Sequence, residues 1–282
     1  MKTYVLYNKL SNNGKGQTTA EQLKTHWANR ELTFVNAREL DDYAGFFAGL
    51  QPDDEVCVCG GDGTLNYLIN HADCDSLTNK IFYFPAGSGN DFWTDLGKKP
   101  GDAPAQINRY IKNLPTVTVK GKTSKFINGV GYGIDGYCCE EGDRLREKSD
   151  KPINYTSIAI KGLLFRYKPT NAEVIVDGKT YTFQKAWLAP TMKGRFYGGG
   201  MMATPQQDRL AADRKVTCMV MNGAGKLRTL MDFPTIFKGE HVKKSSVHVM
   251  KGKEITVRFD RPVALQIDGE TVLAVSEYTV KI

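Results

Sequence analysis

No apolar run in the 282-residue chain approaches the roughly 20 residues a membrane-spanning helix needs. Met1-Lys-Thr-Tyr-Val-Leu-Tyr7 passes directly into a strand-like pattern, without the apolar core of a secretion signal. A cytoplasmic protein is expected, with peripheral contact at the inner face of the membrane as the one membrane role left open. Cysteine is sparse: Cys57, Cys59, Cys74, Cys138, Cys139 and Cys218 lack the paired spacing of a zinc site and are expected to be reduced packing residues. No basic recognition helix or aromatic RNA-binding motif is present, which argues against a nucleic-acid partner. Nothing is repetitive or low in complexity, and the apolar (41%) and charged (24%) fractions are those of a globular chain long enough for two cores. A homodimer is left open.

The balance of 38 Lys plus Arg over 31 Asp plus Glu gives a net charge of +7, a modest excess that a solvated face accounts for. Lys238, Lys243, Lys244, Lys251 and Lys253 nevertheless gather in one region, where they would attract an anionic bilayer.

What the chain does have is two glycine turns, each after a short apolar run. Val56 to Cys59 breaks into Gly60-Gly61-Asp62-Gly63 and restarts as a helical pattern from Thr64 to His71. Glycines let backbone amides approach a phosphate, and the unpaired N–H groups at the start of the helix face the same point. Asp62, amid those donors, suits a magnesium ion that bridges phosphate oxygens, or a proton leaving an attacking hydroxyl. The plainer alternative is a tight turn in which Asp62 caps the helix. Ile81 to Phe84 leads into Pro85-Ala-Gly87-Ser88-Gly89-Asn90-Asp91-Phe92, a second turn of the same kind. Two such loops at the ends of apolar strands are what an open α/β sheet uses to build one ligand crevice, here for phosphoryl transfer.

Together, Gly60-Gly-Asp-Gly-Thr-Leu-Asn66 and Pro85-Ala-Gly-Ser-Gly-Asn-Asp-Phe92 resemble the catalytic domain of bacterial diacylglycerol kinases and lipid kinases. These are relatives of sphingosine and ceramide kinases and, more distantly, of NAD kinase. The likeness extends over nearly the whole chain.

Strand patterns at Tyr4–Tyr7, Leu32–Val35, Glu55–Cys59 and Ile81–Phe84 alternate with helical ones at about 18–30, 41–50, 64–71 and 103–114. That alternation predicts an α/β domain with a parallel sheet over residues 1–115. From residue 116 the runs shorten. Segments 117–119, 125–128, 172–176, 180–184, 216–221, 247–250, 254–259 and 263–267 read as strands, which predicts a β-rich antiparallel sandwich over 116–282. Segments 154–166 and 227–237 read as helices packed on it. The resemblance implies that a lipid enters between the domains and that the last strand is a candidate to return to the first.

The loop Asn8-Lys-Leu-Ser11 resembles the family's first nucleotide-contacting segment, with Lys9 where proline is usual; it fails the Walker pattern. The resemblance implies nucleotide contacts from Asn8, Ser11, Gly60, Gly61, Gly63, Thr64, Gly87, Ser88 and Asn90. Gly131-Tyr-Gly133-Ile-Asp135-Gly136 matches a dinucleotide fingerprint, but nothing around it reads as a strand–helix–strand unit, so a loop is expected. The family's Phe-Ile-Asn-Gly-x-Gly-x-Gly-x-Asp segment implies instead that Asp135 faces the acceptor. Asp268-Gly269-Glu270 is a hairpin turn like Asp177-Gly178-Lys179, so only Glu270 is informative. The resemblance makes Glu270 a general base or a member of the magnesium network. Phe165, Trp187, Phe196, Met201, Met202 and Phe237 are candidates to line an acyl pocket.

Two departures bear on metal and support. After Gly198-Gly-Gly-Met201 and Pro205, relatives carry Asp-Asp-Gly, whose second aspartate helps hold a structural magnesium. Here Leu210-Ala211-Ala212 stands there, leaving Asp208 and Asp213 as the candidate ligands. The strand Thr116–Lys120 also lacks an aspartate that relatives carry. The expected activity is an ATP- and magnesium-dependent lipid kinase with its active site between the domains, phosphorylating a hydroxyl of diacylglycerol or a related lipid. Asp62 would act as catalytic residue and metal ligand, with Glu270 and Asp135. A kinase of the same fold with a non-lipid acceptor and a catalytically weakened nucleotide- or lipid-binding relative are the alternatives.

Overall fold

Thr3–Tyr7 (β1), Leu32–Asn36 (β2), Glu55–Gly60 (β3) and Lys80–Pro85 (β4) lie parallel in the order β2-β1-β3-β4. β3 is buried at all six positions, as a central strand covered on both faces must be. The protein is known from a computed structural model that describes residues 1–87, 89–148, 153, 155–223 and 225–282, and only the backbone of residues 12, 13 and 156. The chain divides into two units, Met1–Leu114 and Pro115–Ile282.

In the first unit the register levels the strand tips: Tyr7 pairs with Cys59, and Gly60 with Pro85. Every turn that follows β1, β3 or β4 therefore starts at one edge of the sheet. After β1 come Ser11–Gly14 (α1), Gly16–Glu21 (α2) and Leu23–His26 (α3), in place of one helix over 18–30. The chain leaves helical geometry at Trp27, where the Arg30 guanidinium stacks 4.4 Å from the indole centroid and pairs with Glu55. Tyr43–Ala48 (α4) is capped by Asp42, and Asp62–His71 (α5) follows β3.

Beyond β4 and Asp91–Asp95 (α6), the helix expected over 103–114 is absent. Ala105–Gln106 (β5) instead pairs antiparallel with β4, followed by a 3-10 turn at Asn108–Tyr110. The Asn108 side chain is the cause. It accepts from Ile81 N at 2.9 Å and donates to Asn79 O at 2.8 Å, binding the chain to the sheet edge rather than to its own helix.

The second unit is antiparallel, as expected. Thr116–Val119 (β6), Lys122–Lys125 (β7) and Gly129–Tyr132 (β8) precede a helix, Ile134–Arg146 (α7), which begins inside the 131–136 segment expected to be a loop. Residue 154, part of an expected helix, lies outside the described residues. Tyr155–Lys161 (α8) runs on into a π-helical turn, Gly162–Arg166. Then come Thr170–Val176 (β9), Lys179–Leu188 (β10), Thr191–Met192 (β11) and Val216–Asn222 (β12). Lys226–Asp232 (α9) gives way to 3-10 turns at Phe233–Lys238 and Glu240–Lys243. Val247–Gly252 (β13), Glu254–Ile267 (β14) and Glu270–Lys281 (β15) complete the unit.

Among the described residues the sheet order is β7-β6-β15-β14-β8-β11-β12-β10-β9, with β13 on β12 and β9 pairing again with β14. β14 shifts register between Arg258 and Val263, so its first half meets β9 and its second half β8. The sheet thus closes on itself around a core that includes Trp187, Tyr132 and Tyr278. The last strand, β15, pairs with β14 and β6, both in the second unit, rather than returning to the first.

Candidate active site

The two glycine turns of the first unit touch. Ala86 N donates to Gly60 O at 2.8 Å, and a Cβ on Gly87 would stand 2.5 Å from the Gly61 Cα. Only a pair of glycines permits that approach. Asp62 joins the turns more firmly, because its two carboxylate oxygens accept from Asp91 N at 2.8 Å and Phe92 N at 3.0 Å. It caps α6, across the site, rather than its own helix. Asn90, in the left-handed region at φ 51°, closes the second turn on itself: its amide accepts from Gly87 N at 3.0 Å and donates to Gly87 O at 2.6 Å. From beneath, the buried Tyr83 hydroxyl donates to Gly60 O at 2.9 Å, a support the sequence reading missed.

The first loop arrives at the same edge. Asn8 N donates to Cys59 O at 3.3 Å, the Asn8 carbonyl accepts from Ser11 N at 3.0 Å, and Gly16 leaves room for that carbonyl where a Cβ would collide with it. Thr64 is buried in the first turn of α5 against Gly60, whose missing side chain it occupies. Asn8, Ser11, Gly60, Gly61, Gly63, Thr64, Gly87 and Asn90 are thus gathered at the tips of three neighbouring parallel strands. Ser88 lies outside the described residues. Gly87→Ala is expected to lower the thermal unfolding midpoint by the equivalent of about 1–3 kcal/mol. Gly61→Ala should cost less, since its Cβ would stand 3.1 Å from the Gly87 Cα, a tight contact rather than an outright clash.

In the second unit, α7 starts directly after β8, at the fingerprint-like glycines. They are there for packing: a Cβ on Gly133 would strike the Trp187 carbonyl, one on Gly136 the Ala264 carbonyl, and one on Gly131 the ends of Gln266 and Asp135. Asp135 is therefore buried in the first turn of α7, where one carboxylate oxygen accepts from Gly136 N at 3.2 Å. Its other oxygen, Oδ2, and the Tyr197 hydroxyl are buried beside each other, and neither finds a further partner among the described residues. Burial pushes the Asp135 carboxyl up to about 6, against the opposing influence of the Tyr197 phenol and local amides. Glu270 is exposed at the start of β15. The fields of Asp135 and Glu270 both reach Cys139, which burial and these carboxylates together with Asp143 hold at about 12.

That Asp135 shift makes a prediction about stability. The folded carboxyl holds its proton to a higher pH than the unfolded one, so its contribution is whole below about 4 and is lost as the pH rises through about 6. Between pH 4.5 and 7.5 the wild type should lose about 2 kcal/mol that Asp135→Asn keeps, as read by denaturant unfolding.

Asp268 does more than form a hairpin turn: it organises the unit. Its carboxylate accepts from Ile127 N, Asn128 N and Gly129 N at 2.7, 2.8 and 3.0 Å, which is why 126–128 is not a strand. The matching Asp177 does likewise for Lys253 N and Glu254 N, both at 2.9 Å. Arg209, also buried, donates to the Ile127 carbonyl and to Asn128 Oδ1.

The structural magnesium implied by the resemblance does not fit these residues. Asp208 Oδ1 accepts from Leu210 N at 2.9 Å, and Asp213 turns to Lys215. Gln207 holds the loop instead, its amide donating to Asp208 O at 3.2 Å and Lys215 O at 3.0 Å. The surroundings are cationic: burial, then Arg209 and Arg214, lower the pKa of the Lys193 ammonium, with Asp208 and Asp213 opposing. No group of three or more metal-ligating side chains is found among the described residues.

Residues 2–121 match the model of the diacylglycerol kinase catalytic domain, and residues 128–280 that of the YegS C-terminal NAD kinase beta sandwich-like domain. The chain belongs to the diacylglycerol kinase family of lipid kinases. A diacylglycerol kinase of Mycobacterium tuberculosis (strain H37Rv) is 27% identical over 212 residues, 72% of this chain and 66% of that protein. A solved structure of a diacylglycerol kinase from Bacillus anthracis shares the fold at TM-score 0.68 and 20% identity, covering 99% of this chain and 94% of the other. In this lipid kinase family member, the residues expected to line an acyl pocket separate. Trp187 and Phe196 are buried, Met201 and Met202 half-buried, and Phe165 and Phe237 exposed. Of the clustered lysines, Lys244 pairs with Asp232 and Lys251 donates to Gln206 O. No helix among the described residues is long and apolar enough to cross a membrane.

Proposed function

We propose that the protein transfers the terminal phosphoryl group of ATP to a hydroxyl of diacylglycerol or a closely related lipid, and so acts in phospholipid metabolism. The observation that carries this reading is the contact of Gly61 with Gly87 under the Asp62 bridge. It turns two glycine loops and the start of α5 into one backbone-lined cradle for a run of phosphates. Magnesium-bound ATP needs only one or two protein carboxylates, its phosphates and water supplying the rest, and Asp62 fits that modest demand. When bound, the ion neutralises phosphate charge. The chain's own residues do the positioning. Asn8 and Ser11 border the nucleotide, and Asp62 keeps the two turns in register. In the second unit the exposed Glu270 takes the proton of the acceptor hydroxyl, and Asp135, buried against the Tyr197 hydroxyl, acts as a positioning residue. Positioning and electrostatics, rather than a covalent intermediate, carry such a transfer.

The test is phosphate transfer from labelled ATP to diacylglycerol, ceramide, undecaprenol and soluble polyols, resolved by mass. Labelling of diacylglycerol above the others is expected. Labelling of a polyol alone, or ATP binding without transfer to any of them, would overturn the reading.

A further inference from the structure

Lys193, the residue after β11, is sunk into the second unit with 6% of its surface exposed, and its ammonium has neither an ion pair nor a hydrogen bond among the described residues. A cation buried alone is strongly disfavoured. The backbone gives it no room to withdraw. Lys193 N and Gly194 N both donate to Asn128 O, at 2.9 and 3.0 Å, and the Thr204 hydroxyl holds the Gly194 carbonyl at 2.9 Å.

A second buried cation is anchored on the same short segment. Arg209, 8% exposed, donates to the Ile127 carbonyl and to Asn128 Oδ1, so residues 127 and 128 carry the lysine through one carbonyl and the arginine through its neighbour. Arg214 adds a third positive charge at the exposed rim. The fields of Arg209 and Arg214 weigh more on Lys193 than those of Asp208 and Asp213. Both acids are exposed and turned to their own loop, Asp208 to Leu210 N and Asp213 to Lys215.

The surroundings that disqualify this loop for a metal ion therefore suit the opposite charge. An ammonium and two guanidinium groups match a tetrahedral oxyanion, which accepts several charge-assisted hydrogen bonds at once, better than they match chloride. We propose that Lys193, Arg209 and Arg214 form a site for a phosphate dianion, either inorganic phosphate or the phosphate of a soluble monoester, which clamps the 207–215 loop onto segment 126–128. The inference stands apart from the kinase reading, since it lies within the second unit and needs neither nucleotide nor transfer.

Thermal unfolding of the full chain against rising phosphate, with chloride balancing the ionic strength, tests it. The wild-type midpoint is expected to climb with phosphate, as for any ligand that binds only the folded state. Lys193→Met keeps the apolar stem and removes the lone charge, so without phosphate it should be at least as stable as wild type. It should need at least about tenfold more phosphate for the same rise. Arg214→Ala, at an exposed position, should need about threefold more. Glycerol phosphate in place of phosphate separates the two sources: a lower half-saturating concentration assigns the site to a monoester, an equal or higher one to the free ion. A midpoint that chloride raises as well as phosphate does, or that phosphate leaves unmoved as a neutral lysine would, overturns the proposal. So does a phosphate effect equal in wild type and both variants, which would put the anion in the glycine turns, or a Lys193→Met that is less stable than wild type without phosphate, which would show the ammonium already paired.

Discussion

Asp62→Asn is expected to reduce phosphoryl transfer by about 10²–10⁴-fold, the range for removing a positioned carboxylate from a transfer site. The structure adds a second effect. With both oxygens accepting amides of α6, the carboxylate ties one phosphate turn to the other. The asparagine places an NH2 group against one of those N–H donors, costing about 1–3 kcal/mol and loosening the contact between Gly61 and Gly87. The two effects are separable. ATP affinity and unfolding midpoint report the tie, and the single-turnover rate at saturating ATP reports the chemistry. A variant with a lowered midpoint but the wild-type single-turnover rate would leave Asp62 a structural bridge alone.

The second large effect is on stability. Arg209→Met keeps the apolar stem but removes the donor to the Ile127 carbonyl and to Asn128 Oδ1, both held in place by Asp268. Loss of about 3–5 kcal/mol is expected, because a buried network is left without its cation. Asp213→Ala, at an exposed position, should stay within about 0.5 kcal/mol. Chelation of divalent ions should leave the midpoint of the nucleotide-free wild type unmoved. A midpoint that falls on chelation, or an Asp213→Ala loss equal to that of Arg209→Met, would return a metal to the 208–215 loop.

Much of this was legible in the sequence, for stated reasons. A buried parallel strand is an unbroken apolar run, and a glycine turn at its end leaves a local mark, so β3, α5 and the paired loops could be placed without coordinates. What escaped was side-chain chemistry acting over long separations. Asp268 looked like half of a hairpin turn because its three partners lie about 140 positions earlier. Ile107 and Ile111 have helical spacing, yet Asn108 spends its amide on the edge of β4. α7 was missed because Gly131, Gly133 and Gly136 read as loop residues, whereas each clears space for a neighbouring strand. One signal was available: Gln207 and Arg209 stand just before the stretch where the acids are missing, Gln207 binding the Asp208 and Lys215 carbonyls of that loop and Arg209 tying it to the Ile127 carbonyl.

The path of β14 has a consequence for biosynthesis. Since β8 and β9 both take it as a neighbour, neither can be fully paired while residues 254–267 are still inside the ribosome. The parallel sheet ahead of it draws every strand from the first 106 residues and has no such wait. A nascent chain stalled near residue 240 should therefore expose half-made β edges to chaperones, with the phosphate turns already assembled.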